Sequence, residues 1–559
     1  YRVWAETTPP YIPLDGPAGG IATPHPTGIP GTFPTPPFVA PSLITLSNAP
    51  FSQNDPWLAD GATQTQGNNV DAYADLKSPD GFGTGDYRAT VTAPGVFDRS
   101  MDFSLQPHAN AEQIQAATTQ LFYMNNWLHD WFYDSGFDEA AGNAQHDNHG
   151  RGGLQHDAIH AEAQDYESRN NANMSTPADG ASPRMQMYIF DGAFQYLEVL
   201  TPAKLAGKYA AGYADYGPQA YNLSGEVVLS ASGDTTPPRT DACTALTNAA
   251  QVAGKIALID RSTTCSIGQQ MRNVQAAGAA GVIFANNADQ TLHITGSLPE
   301  ITIPSVYVTL TTGKALKSAL PGATARLYRE FHLDLDGTID NGIVAHEWGH
   351  YISNRLIWNA SGLTNNQGRS MGEGWADFTA LLMISRPEDI NVPSNANWNG
   401  AYTTAEYATR GGGMSADSTF YGIRRVSYSA DMAKNALTFR HISDGQALPT
   451  TAPISRNSYN NAEFHNSGEI WATLLWDCYV ALLRAHPFQE AQDRMKQYVV
   501  NGYKLTPATP TFLEARDALI AAAYASDPAD GNRFWRTFAR RGAGVGAKAP
   551  DRLSTTHSG

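Results

Sequence analysis

The sequence predicts an α+β protein with a β-rich amino-terminal part, an α/β middle segment and a mainly helical carboxyl-terminal part. Three observations carry this prediction. Residues 1 to about 100 are rich in Pro, Gly, Asn and Asp between short alternating runs, and residues 198–330 contain several β-branched runs around one helical stretch. From residue 340 onward, apolar residues recur at helical spacing. A chain of 559 residues should form roughly two to four domains.

The amino-terminal part is predicted to cover residues 1–197. Its first 40 residues are expected to form an extended arm, and the alternating run "YRATVTA" is typical of a strand. A helix is predicted from about residue 110 to 135, because apolar residues repeat at helical spacing there and a glycine follows.

The middle segment, residues 198–330, is predicted to be an α/β module. The runs "GEVVLSA", "GKIALID", "AGVIFAN" and "IPSVYVT" read as strands, and "SIGQQMRNVQAAGA" reads as a helix between two of them. Cys243 and Cys265 lie in this segment, and two interpretations stay open: a disulfide in an oxidising compartment, or two unrelated free thiols.

The carboxyl-terminal part, residues 331–559, is predicted to contain amphipathic helices. They lie around 371–385, 465–484, 487–500 and 511–525. The third cysteine, Cys478, falls on an apolar helical stripe, so we expect it to be buried rather than reactive.

Composition excludes several classes of partner. The chain has 37 Lys and Arg against 53 Asp and Glu, a formal charge of −16, and no basic block, which argues against nucleic acid. It lacks an apolar run of ~18 residues, so no membrane span is predicted. The first residues do not resemble a signal peptide, so an exported protein would already have lost its leader. We expect a monomer.

The stretch "NGIVAHEWGHYISNRL" suggests a metal site. On a helix, His346 and His350 lie one turn apart on one face with Glu347 beside them, while Val344, Trp348 and Ile352 form an opposite apolar face. Gly349 in mid-helix predicts close approach by another backbone. The alternative interpretation is a pair of ordinary core histidines.

A third ligand is expected from a second helix. In "SMGEGWADFTALLMISRP", Glu373 and Asp377 lie one turn apart, so Glu373 could complete a zinc site and Asp377 could accept the other ring N–H of a zinc-bound histidine. The alternative is a solvated acidic face, which the apolar residues around both carboxylates disfavour.

These motifs lie within a wider resemblance. "HEWGHYISNRL", "GEGWADF", "FYMNNWLHDWFYDSGFDEAAGN" and "YGIRRVSYSADMAKNALTF" resemble segments of the fungalysin family of secreted zinc metallopeptidases, in the same order, over roughly residues 50–197 and 331–548. The resemblance implies a thermolysin-like, two-lobed fold and an extracellular endopeptidase acting on proteins or peptides. It also implies one Zn²⁺ held by His346, His350 and Glu373, and a metal-activated water with Glu347 as general base.

The resemblance implies further site residues. His465 occupies the place of a histidine that assists catalysis in the family. Tyr428 and Arg425, with Arg424, are expected to face the substrate, and the alternative for the arginines is ion pairing with acidic helices. Asn171 and Ala172 are expected to contact the substrate backbone beside an edge strand, and the alternative is a simple turn.

The middle segment is not part of the usual fungalysin pattern. It resembles the protease-associated domain, which implies a disulfide between Cys243 and Cys265 and a role in substrate recruitment or steric gating. The alternative is a passive insertion. On family grounds, the start of the chain suggests the mature form of a zymogen.

Two other motifs contain residue types that bind metal ions. His156 and His160 in "HDAIH" are predicted to be non-catalytic, because neighbouring glycines favour a loop or strand. The acids Asp334, Asp336 and Asp340 have calcium-like spacing without a complete calcium loop, so a structural Ca²⁺ nearby is an open prediction.

The sequence leaves two alternative functions open. One is a zinc aminopeptidase, although no carboxylate motif for a free amine is evident beside the HEWGH helix. The other is an inactive homologue that acts as a binding protein, which the presence of His346, Glu347, His350 and Glu373 disfavours.

Overall fold

The computed structural model describes residues 1–233, 239–412, 415–455 and 460–558. Helices and strands are mixed along the chain, so the α+β prediction is confirmed at that level. The chain divides into two compact units, the first formed by Tyr1–Asp191 with Asp334–Gly559 and the second by Gly192–Leu333.

The α-helices are α1 Ala111–Tyr133, α2 Ala249–Val252, α3 Ile267–Ala276, α4 Leu310–Ser318, α5 Asn341–Leu356, α6 Asn366–Ile384, α7 Ser418–Tyr421, α8 Phe464–Leu483, α9 Phe488–Leu505, α10 Phe512–Ser526 and α11 Pro528–Arg540. The predicted long helices correspond to α1, α6, α8, α9 and α10. Among the described helices, none is both long and apolar enough to cross a bilayer.

The strands are β1 Arg2–Val3, β2 Ser42–Leu43, β3 Val70–Ala74, β4 Tyr87–Arg88, β5 Ile159–Ala163, β6 Ala172–Ser175, β7 Arg184–Met187, β8 Ile189–Phe190, β9 Phe194–Thr201, β10 Gly207–Ala210, β11 Tyr213–Ala214, β12 Tyr221–Leu229, β13 Ile256–Asp260, β14 Gly281–Ala285, β15 His293–Ile294, β16 Ser305–Val308, β17 Thr324–Glu330 and β18 Leu335–Asp336.

The main sheet of the first unit has the order β4-β3-β5-β7-β6. Strands β3, β5 and β7 run parallel, and β6 pairs antiparallel with β7, so β6 is an edge strand within the described residues. Helix α1 begins after Asn110, whose side chain accepts hydrogen bonds from the backbone N–H groups of Glu112 and Gln113. The amino-terminal segment packs into this unit instead of standing free, because Trp4 is buried and its Nε1–H donates to Val39 O at 2.6 Å.

The core of the first unit includes α5, α6 and α8, and small residues let these helices approach closely. A Cβ added to Gly349 on α5 would lie 2.6 Å from the Cα of Ala376 on α6, which confirms the predicted backbone approach. A Cβ added to Gly468 on α8 would lie 2.5 Å from the Cβ of Glu373. Both distances are too short for a side chain, so glycine sets how near the helices come.

The second unit is built on a sheet of order β10-β9-β17-β12-β13-β14-β16. Strands β12, β13, β14 and β16 are parallel, and α3 connects β13 to β14. Two clusters of buried hydrophobic residues stabilise this unit. The predicted strands and the predicted helix of the middle segment are therefore present.

A disulfide joins Cys243 to Cys265 across 22 residues in the second unit, while Cys478 is a buried free thiol. Replacing both bridged cysteines by serine should destabilise this unit by about 3 kcal/mol, because the open chain regains loop entropy on unfolding. Hydrogen exchange of β13 and β14 measures the effect. All 11 tryptophans lie outside residues 192–333, so tryptophan fluorescence should report an unchanged first unit; equal exchange in both proteins would contradict the prediction.

Candidate metal centre

Helix α5 presents His346 and His350 on one face. The helix starts after Asp340, whose carboxylate accepts the backbone N–H of Ile343 at 3.1 Å. The two Nε2 atoms lie 3.1 Å apart, while Val344 and Trp348 on the other side are fully buried. The face that carries the imidazoles is therefore separate from the packing face, as the spacing predicts.

Glu373 on α6 completes a set of three possible metal ligands with His346 and His350. Its Oε2 lies 3.4 Å from His346 Nε2, and its Oε1 lies 3.5 Å from His350 Nε2. Ligands about 2.0–2.1 Å from a tetrahedral zinc ion lie roughly 3.3 Å apart, so the spacing of these atoms fits such an ion. Two imidazoles and one carboxylate are also a donor set that suits zinc and leaves a fourth position open.

Asp377, one turn after Glu373, orients His346. Its Oδ1 lies 2.8 Å from His346 Nδ1. A hydrogen bond from Nδ1–H to this oxygen leaves His346 Nε2 facing His350 and Glu373, where it can bind a metal ion. The fully buried Asp377 also accepts Arg424 Nε at 2.7 Å. Burial alone would raise the pKa of Asp377, but the charges of Arg424 and His346 hold it well below its usual range.

Burial and neighbouring groups also shift the pKa values of the three candidate zinc ligands. Burial would lower the pKa of His346, but hydrogen bonds to Asp377 and Glu373 raise it to about 10. Burial lowers the pKa of His350 to about 4. Burial would raise the pKa of Glu373, yet the positive charge of the neighbouring histidines, His350 first, holds it below its usual range.

Glu347 and His465 border the same cavity, which has a volume of about 350 Å³. Glu347 is 5% exposed, and burial raises the pKa of its carboxyl to about 7. His465, in the first turn of α8, places Nε2 3.6 Å from Glu373 Oε2 and its other ring nitrogen 2.7 Å from Glu463 Oε1. Sequence reasoning missed Glu463, a capping carboxylate two residues before the histidine.

Comparison with models of known protein families assigns this chain to a family. The fungalysin metallopeptidase (M36) family model matches residues 38–547. The chain belongs to the fungalysin family. The match confirms the resemblance inferred from the motifs.

Curated fungalysin relatives are similar over most of this chain. An extracellular metalloproteinase 5 of Arthroderma benhamiae is 24% identical over 92% of this chain and 56% of its own length. The extracellular metalloproteinase mep of Aspergillus fumigatus strain Af293 is 23% identical over 89% of this chain and 54% of its own length. The chain thus spans slightly more than half the length of these relatives.

Among solved structures, an aminopeptidase from Aneurinibacillus sp. strain AM-1 is 23% identical, with 29% of this chain and 36% of that chain covered and a TM-score of 0.20. This partial likeness is too weak to define a shared fold.

Two residues that are expected to face the substrate of this fungalysin do not border the cavity. Tyr428 is buried, its hydroxyl donates to Asp377, and it does not border the cavity. Arg425 is 1% exposed and pairs with Glu469 at 2.5 Å. Its neighbour Arg424 borders the cavity instead, and the ion-pairing alternative describes both arginines.

Asn171 and Ala172 both border the cavity. Ala172 begins the edge strand β6, so the backbone here is extended and is not a simple turn. The adjoining Asn173 donates its amide to Gln186 Oε1 at 2.9 Å, which fixes the strand against β7.

The predicted calcium acids do not form a common site. Asp334 pairs with Arg169 at 2.7 Å, Asp336 accepts the N–H of Thr338, and Asp340 caps α5. Each carboxylate thus has a local structural role. His160 lies on β5 and His156 in the loop before it; both border a separate cavity of about 750 Å³, and neither contributes to the His346 centre.

Proposed function

We propose that the chain is a secreted, extracellular zinc endopeptidase that hydrolyses proteins or peptides. The observation that carries the proposal is the convergence of His346, His350 and Glu373 at tetrahedral spacing, with Glu347 on the same cavity. Membership of the fungalysin family and the extracellular metalloproteinase names of the relatives support it.

We assign the parts of the chain to a thermolysin-like arrangement. Residues 1–197 and 331–559 are proposed as the two lobes, and residues 198–330 as an inserted protease-associated domain that recruits substrate or gates the cleft. The parallel β12-β13-β14-β16 sheet and the Cys243–Cys265 disulfide support the assignment of the inserted domain.

His346, His350 and Glu373 would hold the zinc ion. When bound, zinc supplies Lewis-acid chemistry that polarises a carbonyl and activates water. Glu347 accepts a proton from the attacking water at its carboxylate and passes it to the leaving amine; a pKa near neutrality suits this exchange.

Two further groups would act on the substrate. His465 donates from Nε2 to the developing oxyanion, while Glu463 holds the other ring nitrogen and thereby the orientation of the ring. Asn171 and Ala172 contact the peptide backbone, since an exposed edge strand such as β6 can pair with an extended segment.

Tyr428 is proposed as a positioning residue that acts through Asp377. Tyr428→Phe should weaken zinc binding about tenfold, because loss of a hydrogen bond to Asp377 loosens the orientation of His346. Competition with a chromogenic chelator measures the affinity. Tyr498→Phe, which removes a buried hydroxyl bond to Asp530, is the matched control and should leave zinc affinity unchanged; equal affinity in all three proteins would contradict the role.

The proposed function is tested with an internally quenched peptide whose amino terminus is acetylated. We expect cleavage at an internal bond, complete loss of cleavage after zinc removal with 1,10-phenanthroline and dialysis, and recovery on adding Zn²⁺. Cleavage that needs a free amino terminus would indicate an aminopeptidase. Absence of turnover by a zinc-loaded, folded chain would indicate an inactive homologue.

A further inference from the structure

Four carboxylates converge away from the His346 centre, at one edge of the sheet in the first unit. Asp75 follows β3 directly, Glu162 lies on β5 and Asp165 follows β5. Strands β3 and β5 are parallel neighbours, so their carboxyl ends meet at the same edge. The loop after β3 adds Asp80, and each of these residues offers an oxygen within 4.8 Å of the others. We call this group the acidic cluster.

Two oxygens of the acidic cluster are buried without a hydrogen-bond donor among the described residues. Asp75 and Glu162 are 0% exposed, and Asp75 Oδ1 and Glu162 Oε2 have no such partner. Their other oxygens are held: Asp75 Oδ2 accepts the N–H of Gly81 at 2.7 Å, and Glu162 Oε1 accepts the hydroxyl of Tyr73 at 2.7 Å. An ionised carboxylate oxygen that is buried without a partner costs free energy unless a cation or a proton neutralises it.

Positively charged side chains neutralise little of the negative charge of the acidic cluster. Arg184 pairs with Asp80, and its Nε remains 3.9 Å from Glu162 Oε2, beyond hydrogen-bonding distance. The amide of Gln186 donates to Asp165 at 2.7 Å but carries no charge. Four carboxylates and one guanidinium leave a formal charge of −3 when all are ionised. Burial accordingly raises the pKa of Glu162 to about 8 and the pKa of Asp75 to about 6.

We propose that the acidic cluster binds a Ca²⁺ ion that ties the loop after β3 to the end of β5. Oxygens on opposite sides of a bound Ca²⁺ lie roughly 5 Å apart, which matches the span of the cluster. All four ligands are carboxylates, so the donor set suits a hard cation and does not suit zinc. Ca²⁺ accommodates several carboxylates, whereas Mg²⁺ keeps most of its water.

Equilibrium dialysis against ⁴⁵Ca²⁺ tests the proposal on the zinc-loaded Glu347→Gln chain, which should not digest itself. We expect Glu162→Gln in this background to bind one Ca²⁺ fewer than the parent. Asp80→Asn, at a side chain that is 36% exposed, should weaken binding by about tenfold or more without affecting folding. Ca²⁺ should raise the Tm of the parent by several degrees, and Mg²⁺ should not replace it.

Asp334→Asn is the matched control, since it removes a carboxylate of the other calcium-like motif, and it should bind Ca²⁺ like the parent. A parent chain that binds no Ca²⁺, or Asp80→Asn and Glu162→Gln chains that bind as much as the parent, would overturn the proposal. Loss of binding in Asp334→Asn alone would move the ion to that motif and equally overturn it. None of these measurements uses peptide hydrolysis, so their outcome is separate from that of the proposed function.

Discussion

Glu347→Gln should keep zinc bound and lower kcat for peptide hydrolysis by about a thousandfold or more, because an amide cannot accept the proton of the attacking water. The substitution conserves shape, and no group among the described residues hydrogen-bonds the Glu347 carboxylate, so the fold should not change. Steady-state kinetics on the quenched peptide and zinc analysis of the same sample measure both parts of the prediction.

The control for Glu347→Gln is the zinc content of the variant, measured together with its Tm. One zinc per chain and an unchanged Tm in the variant would show that the loss arises at the proton-transfer step. Turnover within a few fold of the parent chain would contradict the role of Glu347 as general base. Loss of zinc together with activity would indicate that the Glu347 carboxylate supports zinc binding and not proton transfer.

Arg425→Met should destabilise the first unit by about 3–5 kcal/mol, because it leaves the charge of Glu469 buried without its partner. The guanidinium also donates to Asn461 at 3.0 Å and to the carbonyl of Asn466 at 2.9 Å, so the ion pair is part of a wider buried network. Urea unfolding followed by tryptophan fluorescence measures the loss.

The double variant Arg425→Met with Glu469→Met is the matched control. It removes both charges, so it should be less destabilised than the single variant. KM of the folded Arg425→Met enzyme should stay close to that of the parent. An unchanged unfolding midpoint together with a raised KM would instead support the substrate contact inferred from the family resemblance.

The parts of the centre that could be predicted are those on regular helices. The four-residue spacing fixes which side chains share a face, so His346 and His350 could be paired from the sequence, as could Glu373 and Asp377. Gly349 even indicated where the second helix would approach. The structure brings the Glu373 oxygens of α6 to within 3.5 Å of the histidine Nε2 atoms of α5.

The site predictions that fit the geometry least well concern residues outside regular structure. Arg424, Arg425 and Tyr428 lie after the short α7, where no helical or strand period indicates which side chain faces the cavity. The resemblance implies that all three face it, and of the three only Arg424 borders it. The acidic cluster was missed for a different reason. Its members become neighbours only through the parallel pairing of β3 with β5, a register that local sequence does not reveal.

The central claim is that two imidazoles from α5 and one carboxylate from α6 hold a single catalytic zinc. Crystals of the full chain, measured above and below the zinc absorption edge, test it most directly. We predict one anomalous peak about 2.0–2.2 Å from His346 Nε2, His350 Nε2 and a Glu373 oxygen. A zinc-loaded, active chain whose peak lies away from any of these three atoms would contradict the claim.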